Sequence, residues 1–195
     1  MDILGLAFAS GWASGLNAYL TVLALGALGR FGGIEQIPAG FTRTDVLIVM
    51  GALALVEFVA DKIPYFDSLW DALSTVVRPV AGAVIGALLA GASGDLPTLA
   101  FAAVGGVTAL LSHLSKAGIR LAANTSPEPV TTIGLSLSED AAVVAVVTLA
   151  VAHPIAAAIV AGLLLVTGIS VVVVLFRRIR RGWQALRRRL TGSPA

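Results

Sequence analysis

The chain has no cysteine in its 195 residues. That excludes disulfides, thiol nucleophiles and thiolate metal sites. Charge is scarce as well. Asp, Glu, Lys and Arg make up 12% of the residues, about half the roughly 25% typical of a soluble domain. There are only two histidines, His113 and His153. Apolar residues fill the space instead: 57% are hydrophobic and the mean hydropathy is +0.95. This composition identifies an all-α integral membrane protein. The net charge of +2 misleads, because seven arginines crowd into residues 177–189 and leave the rest mildly acidic. The opening MDILGLAFASG lacks the positive start of a signal peptide, and its apolar run continues, so it reads as a retained first span.

A span needs about 20 mostly apolar residues. The pattern predicts six of them. Residues 3–29 form the first. Residues 45–63 form the second, opened by Thr44-Asp45 and closed by Pro64. A short third covers 79–93, and a fourth covers 97–122. A short fifth covers 138–152, with Ser138-Glu139-Asp140 as its helix start. The sixth, 154–176, is entered through His153-Pro154. With both termini cytoplasmic, Lys62, Arg78, Lys116, Arg120 and the tail arginines fall inside, and only Arg30 and Arg43 fall outside. That asymmetry fits the positive-inside rule.

The chain also resembles itself. Shifted by about 91 positions, SGLNAYLTVLALGALGR (14–30) overlies GGVTALLSHLSKAGIRL (105–121). Gly15 meets Gly106, Asn17 meets Thr108, and Thr21 meets Ser112. VRPVAGAVIGALL (77–89) likewise matches HPIAAAIVAGLLL (153–165). Three spans per repeat is an odd number, so the halves 1–93 and 94–176 should be inverted relative to each other. Residues 177–195 remain as a basic tail.

The segments SGLNAYLTVLALGALGRFG, VEFVADKIPYFDSLWDAL and RPVAGA together resemble a family of small bacterial membrane proteins known as a domain of unknown function. The resemblance covers most of residues 10–175. It implies a multi-span protein of the bacterial inner membrane and supplies neither an activity nor site residues.

The charges inside the apolar runs carry the most information. Glu57 and Asp61 lie four apart and share a helix face. At 1.5 Å per residue Glu57 sits about 18 Å into its span. A charge there costs at least about 2.5–3.5 kcal/mol and must face protein or a cavity. Asp67 and Asp71 repeat the spacing on FDSLWDALSTVV, whose Phe66 and Trp70 suggest a short interfacial helix. In the fourth span His113, Lys116 and Arg120 form a basic stripe that Asn124 extends. Acidic and basic stripes should meet, with Glu57 and Asp61 pairing Lys116 and Arg120. Such pairs can form a solvated site for a cation, a proton or an anionic headgroup. They can equally be structural, because a buried charge left unpaired is costly.

Weaker signals surround this core. Ser10, Ser14, Asn17 and Thr21 form a polar stripe on the first span, flanked by Gly11 and Gly15. It reads as a polar path or as packing through small residues and hydroxyls. Asn17 stands out, since an amide in lipid needs specific partners. Gly82 and Gly86 form GxxxG, either an internal packing face or a homodimer contact. The proline-rich loop 124–140 could dip toward the site. The tail arginines Arg177, Arg178, Arg180, Arg181, Arg187, Arg188 and Arg189 interleave with Trp183, Leu186 and Leu190 as a segment for anionic lipid headgroups rather than nucleic acid. GASG (91–94) formally matches an intramembrane serine-protease motif, but Ser93 lies in a short loop, not in a helix beside a histidine. No enzyme, cofactor or metal site is expected, because Lys62, Lys116 and Arg120 would compete with any cation for the carboxylates. The function expected is passage of a small ion, solute or lipid-linked anionic headgroup. A non-transporting membrane scaffold or subunit is the alternative.

Overall fold

The computed structural model describes residues 2–63, 65–91, 95–124 and 129–191, with side chains for all of these except 95, 129 and 185–191. Pro64 and Ser93 therefore lie outside the described residues, as do the side chains of Arg187, Arg188 and Arg189. The described elements are all helices: α1 (Ile3–Leu16), α2 (Ala18–Phe31), α3 (Ala39–Thr42), α4 (Thr44–Ala60), α5 (Phe66–Ala90), α6 (Asp95–Ala123), α7 (Pro129–Ala152) and α8 (Pro154–Thr191).

The first apolar run is not one span. It breaks at Asn17, whose backbone is extended (φ −152°, ψ 101°). Asn17 ends α1 and caps α2, and its Oδ1 accepts from the Leu20 N–H at 2.9 Å. Asparagine is among the best N-cap residues because its carboxamide replaces the missing backbone acceptor. The two half-helices then run in opposite directions. Along α1, Gly5 packs on Pro154 and Ile155, Gly11 on Gly105 and Thr108, and Gly15 on Ala109 and Ser112. So α1 runs parallel to α6 and α8. Along α2, Leu20 shares a cleft with Ala54 and Phe58, while Gly26 packs on Phe41 and Leu47. So α2 runs antiparallel to α4. Residues 3–31 thus form a helical hairpin whose tip, Asn17, lies inside the bundle.

Residues 3–29 therefore do not form the single helix expected from the sequence. The starts of α1, α4, α6 and α8 lie at one end of the bundle, called the upper end here. The ends of α4, α6 and α8 lie at the lower end. The start of α1 and the end of α8 therefore lie at opposite ends of the bundle, against the sequence expectation. Lys62 meets Ser136 while Ala54 faces Val144 across a cleft, so α4 and α7 are antiparallel. α5 and α8 are antiparallel too. But α1 runs parallel to the first half of α6, its counterpart under the shift, so the hairpin breaks the symmetry.

Two helices are longer than their hydropathy suggested. α5 runs unbroken from Phe66 through Pro79 to Ala90. It merges the expected interfacial helix with the short third span. α7 begins at Pro129, so most of the expected loop 124–140 is helix. Four helices are long and apolar enough to cross a membrane: Phe66–Ala90, Leu96–Ala123, Val130–Ala152 and Pro154–Gln184. α8 carries the arginine tail as a direct continuation rather than a separate segment. The molecule is inside-out relative to a soluble protein. Ile48, Val56, Val76, Val84, Ile159, Leu163 and Val174 are exposed, while acids and bases are buried. Such a surface suits lipid.

Small residues set the closest helix contacts. A Cβ on Gly82 would stand 2.6 Å from Ala109 Cβ and 2.6 Å from Gly105 O, and Gly86 packs on the Phe101 carbonyl. The GxxxG face therefore joins α5 to α6 within the chain, so that pattern carries no separate dimer signal.

Candidate functional site

The hairpin tip meets a column of buried charge contributed by α4, α5, α6 and α7. An i, i+4 or i+7 spacing puts each set on one helix face: Glu57 and Asp61 on α4, Asp67, Asp71 and Arg78 on α5, and His113, Lys116, Arg120 and Asn124 on α6. Glu57, Asp61, Asp67, Asp71, Arg78, Lys116 and Arg120 are each at most 2% exposed.

The column has three levels. At the bottom, Asn124 Nδ2 donates to Asp67 Oδ1 at 2.9 Å, and Arg120 Nη1 stands 3.6 Å from Asp67 Oδ2. In the middle, Lys116 Nζ donates to Asp61 Oδ2 at 2.7 Å. Arg120 Nη2 donates to the same oxygen at 3.0 Å and also pairs with Glu139 of α7. At the top, Arg78 Nη2 donates to Glu57 Oε1 at 2.5 Å and stands 3.0 Å from Asp71 Oδ1. Arg78 Nη1 donates to His113 Nδ1 at 2.8 Å. An arginine N–H can only donate, so His113 Nδ1 accepts and the ring is neutral. Its Nε2 then faces Thr75 Oγ1 at 3.1 Å.

The helix break contributes backbone oxygens. The last carbonyls of a helix lack intrahelical partners and carry its negative dipole end. At the end of α1, Leu16 O accepts from Lys116 Nζ at 2.9 Å, and Gly15 O accepts from Arg78 Nη1 at 3.3 Å. Asn17 Nδ2 donates to Asp140 Oδ1 at 3.2 Å. One asparagine thus breaks the helix, caps the next and fixes α7.

The sequence-based expectations fare unevenly. Asp61 pairs Lys116 and Arg120 as expected. Glu57 pairs mainly with Arg78, and Lys116 Nζ stays 3.9 Å from it. Asp67 and Asp71 are buried rather than on a separate short helix, because the unbroken α5 carries both into the column. Arg78, Glu139 and Asp140 went unrecognised as site residues. Arg78 was legible: it lies seven residues after Asp71, on the same face. Glu139 and Asp140 were hidden by the assumption that they begin a helix. In the Ser10–Thr21 stripe Ser14 Oγ donates to Arg78 O and Thr21 Oγ1 to Asn17 O, while Ser10 Oγ is buried without a partner; Ser112 Oγ on α6 donates to Trp12 O. His153 stands exposed between α7 and α8. Arg177, Arg178, Arg180 and Arg181 are exposed at the lower end.

Charge does not balance in the column. Six carboxyl groups (Glu57, Asp61, Asp67, Asp71, Glu139 and Asp140) face three buried cations, Arg78, Lys116 and Arg120. Lys62 at the rim raises the cations to four, and it donates to Phe58 O and Ser136 Oγ. Glu57 Oε2, Asp61 Oδ1 and Asp71 Oδ2 are buried without a hydrogen-bond partner. Two clefts flank α7. One, about 310 Å³, is lined by Lys116, Glu139, Ser115 and Ser138. The other, about 570 Å³, is lined by Asn17, Asp140, Leu20 and Phe58.

A protein-family model described as Domain of unknown function (DUF4126) matches residues 4–174. The match covers most of the chain, which belongs to this family. No curated protein and no solved structure matches it.

Proposed function

We propose that this protein is a transporter of the bacterial inner membrane that moves a small cation or protons through the buried charge column. The surplus of carboxylates carries the reading. Six acids against four cations, Lys62 at the rim included, with unpartnered oxygens on Glu57, Asp61 and Asp71, form a core with capacity for further positive charge. An isolated buried charge is expensive, so such a surplus favours a proton or cation over an anionic headgroup. The broken helix supports the same reading. Half-helix ends aimed at a midpoint site are the usual architecture of ion-coupled carriers. The seven arginines support a cytoplasmic lower end and C-terminus, and with the hairpin the N-terminus would then lie on the opposite face. In this reading the protein performs no covalent chemistry. Glu57→Gln should keep the fold and abolish cation or proton flux in proteoliposomes. Unchanged flux removes Glu57 from the mechanism.

The scaffold reading retains one specific observation in its favour. Each of the three buried cations is paired, and neither cleft flanking α7 is lined by Glu57. Glu57→Gln separates the two, since a structural role alters stability without any flux to lose.

A further inference from the structure

We propose that the Lys116 ammonium is the tethered occupant of a monovalent-cation site, and that an ammonium- or potassium-sized cation takes its place when Lys116 withdraws. This rests on the transport reading and narrows its substrate.

The surroundings of Lys116 Nζ consist of oxygen from four other helices. It donates to Leu16 O at 2.9 Å and Asp61 Oδ2 at 2.7 Å. It stands 3.5 Å from Glu139 Oε2, 3.8 Å from Asp71 Oδ1 and 3.9 Å from Glu57 Oε1. Four carboxylates converge on it, and with Arg78 and Arg120, which share them, three cations face these four acids. Three of them keep a buried oxygen with no partner: Glu57 Oε2, Asp61 Oδ1 and Asp71 Oδ2. Each is the second oxygen of a carboxylate whose first lies within 3.9 Å of Lys116 Nζ, so buried acceptor capacity beyond the lysine remains at the cluster. The geometry does not suit a divalent metal. Oxygens at 3.5–3.9 Å are far outside the roughly 2.0–2.6 Å of magnesium or calcium ligands. Among the described residues no group of three or more acidic or histidine side chains could hold a metal ion as it stands, potassium included, so the carboxylates must close around the cation once Lys116 leaves.

Lys116 is also the member of the column best able to leave. Arg78 and Arg120 are rigid forks, each held by several partners. A lysine is a point charge on a flexible stem. Lys116 and Glu139 line the cleft between α1, α6, α7 and α8, together with Ser112, Ser115 and Ser138. Glu57, Asp61 and Asp71 do not line it. Lys116 therefore lies between the cleft and these acids. A swing of its side chain toward the serine hydroxyls exposes Leu16 O and the carboxylates to an incoming cation.

The test is cation rescue of Lys116→Ala. Thermal unfolding of the purified full-length variant is measured in potassium chloride, ammonium chloride and N-methylglucamine chloride at equal ionic strength. The expected result is a saturable rise of about 5 °C or more in potassium or ammonium over N-methylglucamine, the size that a 100-fold excess over Kd produces in a chain of this length. Wild type, with its site filled, should show a much smaller rise. Equal melting in all three salts overturns the proposal. Lys116→Gln serves as a second variant, and failure of both to fold in potassium or ammonium also overturns it. If rescue fails while Glu57→Gln still abolishes flux, the transport reading stands and only the cation site falls.

Discussion

Arg78→Met separates a charge-complementary core from simple hydrophobic packing. Arg78 is 1% exposed and binds Glu57 and Asp71, which are 0% and 2% exposed. Methionine preserves much of the side-chain volume but leaves both acids without their nearest cation. Removing one partner of a buried pair costs about 3–5 kcal/mol. Loss of the donor to the Gly15 carbonyl adds about 1 kcal/mol. At roughly 2–4 °C per kcal/mol for a chain of this size, the melting temperature should fall by about 10–20 °C. Glu57→Gln is the informative contrast. It removes one acid from a column that already has too many, and its amide oxygen can still accept from Arg78. Exchanging a charged for a neutral hydrogen bond costs about 1 kcal/mol, a fall of only a few degrees. The assay is thermal unfolding in detergent, read by intrinsic fluorescence from the three tryptophans. Equal falls for the two variants, or a larger one for Glu57→Gln, would refute the acid-surplus argument.

Two other outcomes follow from the hairpin. Asn17→Ala removes the cap of α2 and the donor to Asp140, so stability should drop by about 1–2 kcal/mol. Asn17→Asp keeps the cap but sets a new charge against Asp140, so at neutral pH it should be no better than alanine. Melting curves of both variants check this. The absence of native cysteine makes topology direct to measure. Asp2→Cys and Glu35→Cys should label with a membrane-impermeant maleimide from one face, and Gln184→Cys from the other. Asp2 and Gln184 labelling from the same face would restore the single-span reading of residues 3–29.

Much of the site was legible because charge is rare here. In so apolar a chain each buried acid or base had to find a partner, and periodicity alone placed Asp61 against Lys116 and Arg120. What misled was the treatment of local breakers. Pro79 looked like a boundary, yet it sits mid-helix in α5. Ser138-Glu139-Asp140 looked like a helix start, but α7 begins nine residues earlier at Pro129. Asn17 looked like a polar residue within a span, and instead it turns the chain back. Hydropathy does not distinguish a crossing from a hairpin, because α1 and α2 are both apolar and each runs 14 residues. The contacts that decide direction, such as Gly5 on Pro154, join residues far apart in sequence and leave no local trace.

The account's central claim is that the buried column accepts a cation from solution. Wild-type and Glu57→Gln protein can be reconstituted into liposomes on a solid-supported membrane, and potassium or ammonium applied as a rapid concentration jump. The account predicts a transient charge displacement for wild type, saturating with concentration, and none for Glu57→Gln. No displacement from wild type, or equal displacement from both, would contradict it.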